Sequence, residues 1–219
     1  NGNLNREDWN RFRKQITFLM NAPIYIDDTP GLSIFELRTK ARRLVREHNI
    51  ELIMIDYLQL MNASGMRFNS RQEEVSIISR SLKGLAKELN IPIIALSQLN
   101  RGVEGREGVE GKRPLLSDLR ESGAIEQDAD MVLFVHRPEY YHLEYGPNGE
   151  DYRGMAEIII AKHRKGATDI ILLKFRGKYT RFENPDDNMF ENRLNSGGEI
   201  VGSKINGEDH ALPFPPPGI

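Results

Sequence analysis

The 219-residue chain contains no cysteine. That excludes disulfides and thiolate-held metals, and it fits a reducing compartment. No apolar run approaches the roughly 18 residues of a membrane span. Nor is there an excess of either charge: 30 Lys and Arg face 32 Asp and Glu, leaving a formal net charge of -2 and a pI of about 6.3. Bulk electrostatics therefore do not mark a nucleic-acid binder, and any basic surface has to be local. The opening NGNLNREDWN has neither an initiator methionine nor a signal-peptide core. The five histidines, His136, His142 and His163 among them, show no metal-ligand spacing and are expected at the surface or as satisfied groups. No stretch reads G-x-x-x-x-G-K-[ST]; GKYT at 177–180 and GKRP at 111–114 lack the preceding glycine and the Ser or Thr after Lys.

What is present is an ordinary globular composition, 39% apolar and 28% charged, on a chain long enough for one sizeable core. Asn5, followed by Glu7 and Asp8, predicts a helix start, and Trp9, Phe12, Ile16 and Leu19 continue at helical spacing. PIYID at 23–27 reads as a short strand. SIFE at 33–36 and SRQE at 70–73 are capping boxes. The first opens a helix with Leu37, Ala41 and Leu44 on one face; the second opens a longer one marked by Val75, Ile78, Leu82, Leu85 and Leu89.

IELIMID at 50–56 and IPIIALS at 91–97 read as strands apolar on both faces, which suits a sheet covered on both sides. MVLFVH at 131–136, AEIIIAKH at 156–163, TDIILLKF at 168–175 and KYTRF at 178–182 read as further strands, the later ones hairpin-like. The aromatic-rich stretch at 140–152 reads as an elongated hairpin. The pattern predicts an α/β sheet, mostly parallel, with antiparallel edge strands. It ends near residue 183, and the polar 184–219, closing in LPFPPPGI, reads as a disordered tail.

One detail of this pattern asks for chemistry. The aliphatic run Leu52–Ile55 ends in Asp56, and the run at 91–96 ends in Ser97 and Gln98. In open α/β sheets ligands bind beyond the carboxyl ends of strands. An aspartate there is how P-loop NTPases hold the magnesium of Mg-ATP, and a polar residue on the adjacent strand can sense the γ-phosphate. Asp at a strand end also serves plain turns, so the two strand ends together carry the point.

LIMIDYLQLM, ALSQLNR, DLRESGAIEQDAD and AEIIIAKHRKG, taken together, resemble the C-terminal motor domain of the DnaB-type hexameric replicative DNA helicase. The resemblance runs from about residue 5 to Phe182 in order and spacing. It implies a RecA-like P-loop NTPase fold for 1–183, here lacking its P-loop strand, and a cytoplasmic enzyme that uses ATP with Mg2+ to move along single-stranded DNA. Asp56 would be the Walker B aspartate and Gln98 the sensor. Arg120, Glu121 and Gly123 would contact the DNA backbone. Lys162 and Arg164 would reach the γ-phosphate bound by a neighbouring subunit, where a cation supplied in trans stabilises charge on the transferred phosphoryl.

In the family the P-loop, the catalytic glutamate and the domain that meets primase all precede this region. We therefore expect a fragment, inactive alone and with apolar edges exposed. Its parent would form a homo-hexamer and meet primase and helicase loader largely through sequence outside these residues. A recombinase-type ATPase shares the strand-end aspartate, and a non-catalytic paralogue would explain the missing P-loop.

From the residues alone, Lys162 and Arg164 lie two apart on a strand and point the same way, which serves a phosphate or a protected sheet edge equally. The glycine-rich 100–114, with Arg101, Arg106, Lys112 and Arg113 interleaved with Glu104, Glu107 and Glu110, reads as a mobile loop able to meet phosphates or as a plain solvated one.

Overall fold

The computed structural model describes residues 5–146 and 149–185. The expected tail at 184–219 falls almost wholly outside them. The chain divides into two compact units, Asn1–Phe134 with Ile159–Ile170, and Val135–Ile158 with Ile171–Ile219.

In the first unit, helix α1 (Arg6–Met20) starts where the sequence says. The Asn5 side chain accepts from the Asp8 amide at 2.8 Å and the Asp8 carboxylate accepts from the Asn5 amide at 3.3 Å. Helix α2 (Ile34–His48) has the same reciprocal box between Ser33 and Glu36. Each such cap contributes about 1 kcal/mol by occupying amides that the helix leaves without partners. Helix α3 (Arg71–Leu89) is capped by Ser70, but the box is incomplete: the Glu73 carboxylate takes the Asn69 amide at 2.7 Å instead of that of Ser70. Helices α2 and α3 both end at an asparagine in the left-handed region, Asn49 and Asn90, a conformation asparagine tolerates better than most residues.

Strand β1 (Ile53–Ile55) pairs in parallel with β2 (Ile93–Ala95), in the register Ile53 to Ile93 and Ile55 to Ala95. One face of this pair rests on α2 and α3 through Ile34, Ala41, Ile53, Leu58, Ile78, Leu82 and Leu85. The opposite face is not covered: Met54 is 67% exposed, and Ile94 and Leu96 are 47% each. The two-faced apolar reading therefore holds for composition but not for burial in this chain. The segment 23–27 forms no strand and pairs with none among the described residues, and Ile26 is 89% exposed. Its apolar residues lack the ladder that would make it a strand.

Segment 100–114 is not featureless. It forms a 3-10 turn at Arg101–Val103 and helix α4 (Gly108–Lys112). A longer 3-10 stretch, Leu116–Ser122, then runs directly into helix α5 (Gly123–Asp128).

Strands β3 (Met131–His136), β4 (Met155–His163), β5 (Asp169–Arg176) and β6 (Arg181–Glu183) make a second sheet in that order. This sheet is antiparallel, so among the described residues parallel pairing does not dominate: it joins β1 to β2 and forms one isolated bridge between Ser33 and Asn62. The five residues 164–168 between β4 and β5 allow a hairpin and are too few for a parallel crossover. Burial alternates along β3, with Val132, Phe134 and His136 inside.

In the second unit, the hairpin expected at 140–152 contracts to a 3-10 turn at Pro138–Tyr141 and a bridge between Tyr145 and Asp151. Here Arg137 lies 3.7 Å over the Phe175 ring, and Phe175 pairs across strands with Phe182.

Candidate functional site: a strand-end carboxylate and a cationic pair

Asp56 is the first residue past β1, at its carboxyl end. Pairing continues a little beyond the two strands: the Leu96 amide donates to Ile55 O at 2.9 Å, and the Leu58 amide to Leu96 O at 2.9 Å. The Asp56 side chain is exposed and, among the described residues, accepts no hydrogen bond and joins no ion pair. An anion left without a protein partner at a strand end is free for an external one. A hard cation such as Mg2+ takes one or two carboxylates and keeps several waters, so this exposed oxygen donor fits it.

Ser97 and Gln98 follow β2 on the same end of the pair. Gln98 is exposed, and its main chain is held by Gln59 of the loop that begins at Asp56. Gln59 Nε2 donates to Ser97 Oγ at 3.0 Å and to Gln98 O at 3.4 Å, and Gln59 Oε1 accepts from the Gln98 amide at 3.3 Å. Sequence reading missed Gln59; a lone amide inside the apolar YLQLM was its one signal. The structure thus puts Asp56 and Gln98 at the same end of the β1–β2 pair, with Gln59 tying their two segments together.

Lys162 and Arg164 converge as their spacing predicts, on the carboxyl end of α5. Lys162 Nζ donates to Glu126 O and, at 3.5 Å, to Gln127 O; an Arg164 guanidinium nitrogen donates to Gln127 O at 3.3 Å. The final carbonyls of a helix have no intrahelical partners and carry partial negative charge, so cations settle there. Arg164 also pairs with Asp130 at 3.1 Å. Asp130, in turn, hydrogen-bonds Lys83, and that bond first, with Lys83 and Arg164 charge behind it, holds its carboxyl below the ordinary range. Asp130 is a second residue that sequence reading passed over. Among the described residues, no hydrogen bond or ion pair links Lys162 or Arg164 to Asp56 or Gln98.

Arg120 and Glu121 lie in the 3-10 stretch, and Gly123 opens α5. Gly123 has φ -51 and ψ -23, open to any residue, and a Cβ there would meet nothing within 4 Å. Its backbone therefore faces open space, where a ligand can approach closely. The stretch is anchored by Asp118, a third residue not foreseen. Its carboxylate accepts from the Leu115 amide at 2.7 Å and from Arg106 at 2.6 Å. Arg106 is thus committed to a protein acid, as is Arg113 to Glu110 at 2.7 Å. The local acids take up part of the basic character that the segment shows in sequence. Leu119 packs with Leu99, Leu116, Val132 and Phe134 beneath.

Comparison with known proteins joins these features. Replicative DNA helicase DnaC of Bacillus subtilis is 48% identical over 202 residues, covering 92% of this chain and 42% of the relative. Replicative DNA helicase DnaB of Geobacillus stearothermophilus is 46% identical over 196 residues, covering 90% and 41%. The chain thus spans about two fifths of the length of these curated relatives. Among solved structures, an ATPase domain superposes with a TM-score of 0.74 at 40% identity, over 84% of this chain and 62% of that one. A DnaB-like replicative helicase, described with its interactions with primase, gives 0.73 at 40% identity over 84% and 44%. The model of the DnaB-like helicase C-terminal domain matches residues 1–184, which contain Asp56, Gln98, Lys162 and Arg164 alike, and the chain belongs to that family.

Proposed function

We propose that this chain is the part of a ring-forming replicative DNA helicase that holds the metal of Mg-ATP, senses the nucleotide and supplies cations to a neighbouring subunit's site. The observation that carries the reading is Asp56: an exposed carboxylate with no protein partner among the described residues, at the end of a parallel strand and on the same end of the β1–β2 pair as Gln98. Mg2+ held there, through its water shell, would neutralise charge on the β- and γ-phosphates. Gln98 presents a neutral amide beside that place and reports whether the γ-phosphate is present. Lys162 and Arg164 act across a subunit boundary, which agrees with their separation from Asp56 in the bonding of a single chain. The phosphate-binding loop such a motor needs is not among these 219 residues, so by themselves they are expected not to turn over ATP. Single-stranded DNA meets the backbone at Arg120, Glu121 and the open Gly123. A homo-hexamer, contacts with primase and loader, and a cytoplasmic setting complete the reading; among the described residues no helix is long and apolar enough to cross a membrane.

The test is Mg2+-dependent ATP hydrolysis by the full-length protein. Asp56→Ala should lower it by about 10²-fold or more, the scale of losing a preorganised electrostatic partner, with the fold nearly unchanged because the carboxylate supports no other group. Near-normal hydrolysis by that variant would make Asp56 a turn residue and remove the reading.

A further inference from the structure

We propose that Gln59 is the positioning residue that couples Gln98 to the Asp56 loop. The proposal rests on the nucleotide-site reading above and concerns how that site is read out. Gln98 lies three residues past the last paired position of β2, Ala95. Its N–H and C=O have left the ladder and need partners, since an unsatisfied backbone group is costly wherever water is displaced. Gln59 supplies both with one side chain. Its Oε1 accepts from the Gln98 amide at 3.3 Å and its Nε2 donates to the Gln98 carbonyl at 3.4 Å, with Ser97 Oγ at 3.0 Å as a third tie. The carboxamide acts as one more residue of a neighbouring strand. It fixes the main chain of Gln98 and leaves the Gln98 side chain with no hydrogen bond among the described residues.

The other end of Gln59 is anchored too. Arg71 at the start of α3 donates to Gln59 O at 2.7 Å and to Met61 O at 3.1 Å. Arg71 also pairs with Glu74, which is buried and accepts from the Ala63 amide at 2.9 Å. Leu58, 2% exposed, pins the residue just before. The loop from Asp56 to Ala63 is therefore bolted to α3, and the Gln59 side chain ties that loop to the end of β2. Any shift of Asp56 as its ligand changes travels three residues along the chain to Gln59 and then across to Gln98. A residue that only tied down the loop would need one bond to any nearby atom; Gln59 uses donor and acceptor on the same neighbour.

The experiment is a double-mutant cycle in the full-length protein, with ATP hydrolysis measured with and without single-stranded DNA and thermal unfolding followed in parallel. Gln59→Met keeps the unbranched bulk and removes both amide functions. We expect DNA-stimulated kcat to fall by about 10-fold, within the range that small misplacements produce, with KM for ATP changed less than about twofold. Adding Gln59→Met to Gln98→Ala should cost nothing more, because residues acting through one another are non-additive. Gln59→Glu keeps the acceptor for the Gln98 amide and loses the donor. It should show a smaller loss with the same non-additivity, and it serves if the Met variant unfolds.

If the wild type hydrolyses ATP in an Asp56-dependent way but the Gln59 and Gln98 losses multiply, Gln59 is a loop tie and the proposal fails while the nucleotide site stands. The proposal also fails if the loss at Gln59 tracks only a lowered unfolding temperature. If the wild type shows no Asp56-dependent hydrolysis, the nucleotide-site reading falls and takes this proposal with it.

Discussion

The end of the β1–β2 pair and the end of α5 treat their charges in opposite ways. Asp56 is an anion with no protein partner among the described residues, whereas Lys162 and Arg164 are cations whose donors already rest on Glu126 O, Gln127 O and Asp130. In the proposed function the first region is open to a ligand. To serve a phosphate as proposed, the second would have to exchange one set of acceptors for another. The contrast suits the proposed roles: a carboxylate that is to hold a hydrated metal would lose strength if a lysine neutralised it, while long cationic side chains left loose lose more rotamer freedom on binding. Helix-end carbonyls orient these cations without cancelling their charge, whereas the Asp130 carboxylate offsets that of Arg164 and would have to be released. Arg164 keeps a half-exposed side chain, 48%, so an external acceptor has access.

The comparison breaks most visibly at Arg164. In the full-length protein, Arg164→Ala should still bind nucleotide, because the Asp56 side of the site is untouched. Hydrolysis should fall by roughly 10³-fold, the lower end of what trans arginines supply, with Lys162 limiting the loss. Equal losses in binding and turnover would mean that Arg164 acts on its own chain's nucleotide or on the fold.

A smaller effect is expected at the proposed DNA contact. Arg120→Ala should weaken single-strand binding by a similar factor for different base sequences, because a backbone contact reads no bases. The slope of log affinity against log salt should become shallower by about one charge's worth, ~0.7 for single strands. Loss confined to certain base compositions would signify base readout.

The smallest effect sharpens the description of the parked cations. The carboxyl of Asp130 titrates below its usual 3.8, chiefly through its bond to Lys83. A depressed folded-state pKa contributes stability that is present above the unfolded value and lost as pH falls through the folded one. The pairing with Arg164 is therefore fully in force at neutral pH and fails only under strong acid. Carboxyl NMR should place the Asp130 titration low, and Lys83→Met should move it up. No movement would show that Lys83 is not its main partner.

Much of this was legible in the sequence, and the part that was not shares a cause. The starts of α1, α2 and α3 were readable because Asn5, Ser33 and Ser70 act on residues three or so away. Asp56 and Gln98 were readable because they interrupt apolar runs, and Lys162 and Arg164 were predicted to converge by strand periodicity. Gln59, Asp118 and Asp130 were not, since their partners lie 38, 12 and 47 residues away and neither period nor spacing reports such contacts. The strand expected at 23–27 failed for a related reason. Its composition suits a strand, but pairing depends on a neighbour that local sequence does not supply, and residues 23–27 remain unpaired among the described residues. Parallel pairing was overestimated because apolar β runs look alike in both kinds of sheet, while the short 164–168 connection points to a hairpin.

The account's central claim is that the two regions serve one nucleotide from two different subunits. The direct measurement is ATP hydrolysis by mixed assemblies of full-length Asp56→Ala and Arg164→Ala chains, with subunit exchange first verified by size and labelling. Each variant alone has every interface defective. In a mixture, some interfaces pair an intact Asp56 with an intact Arg164 from the neighbour, so hydrolysis should recover to a measurable fraction of wild type. Assemblies that demonstrably mix and recover no hydrolysis would contradict the claim.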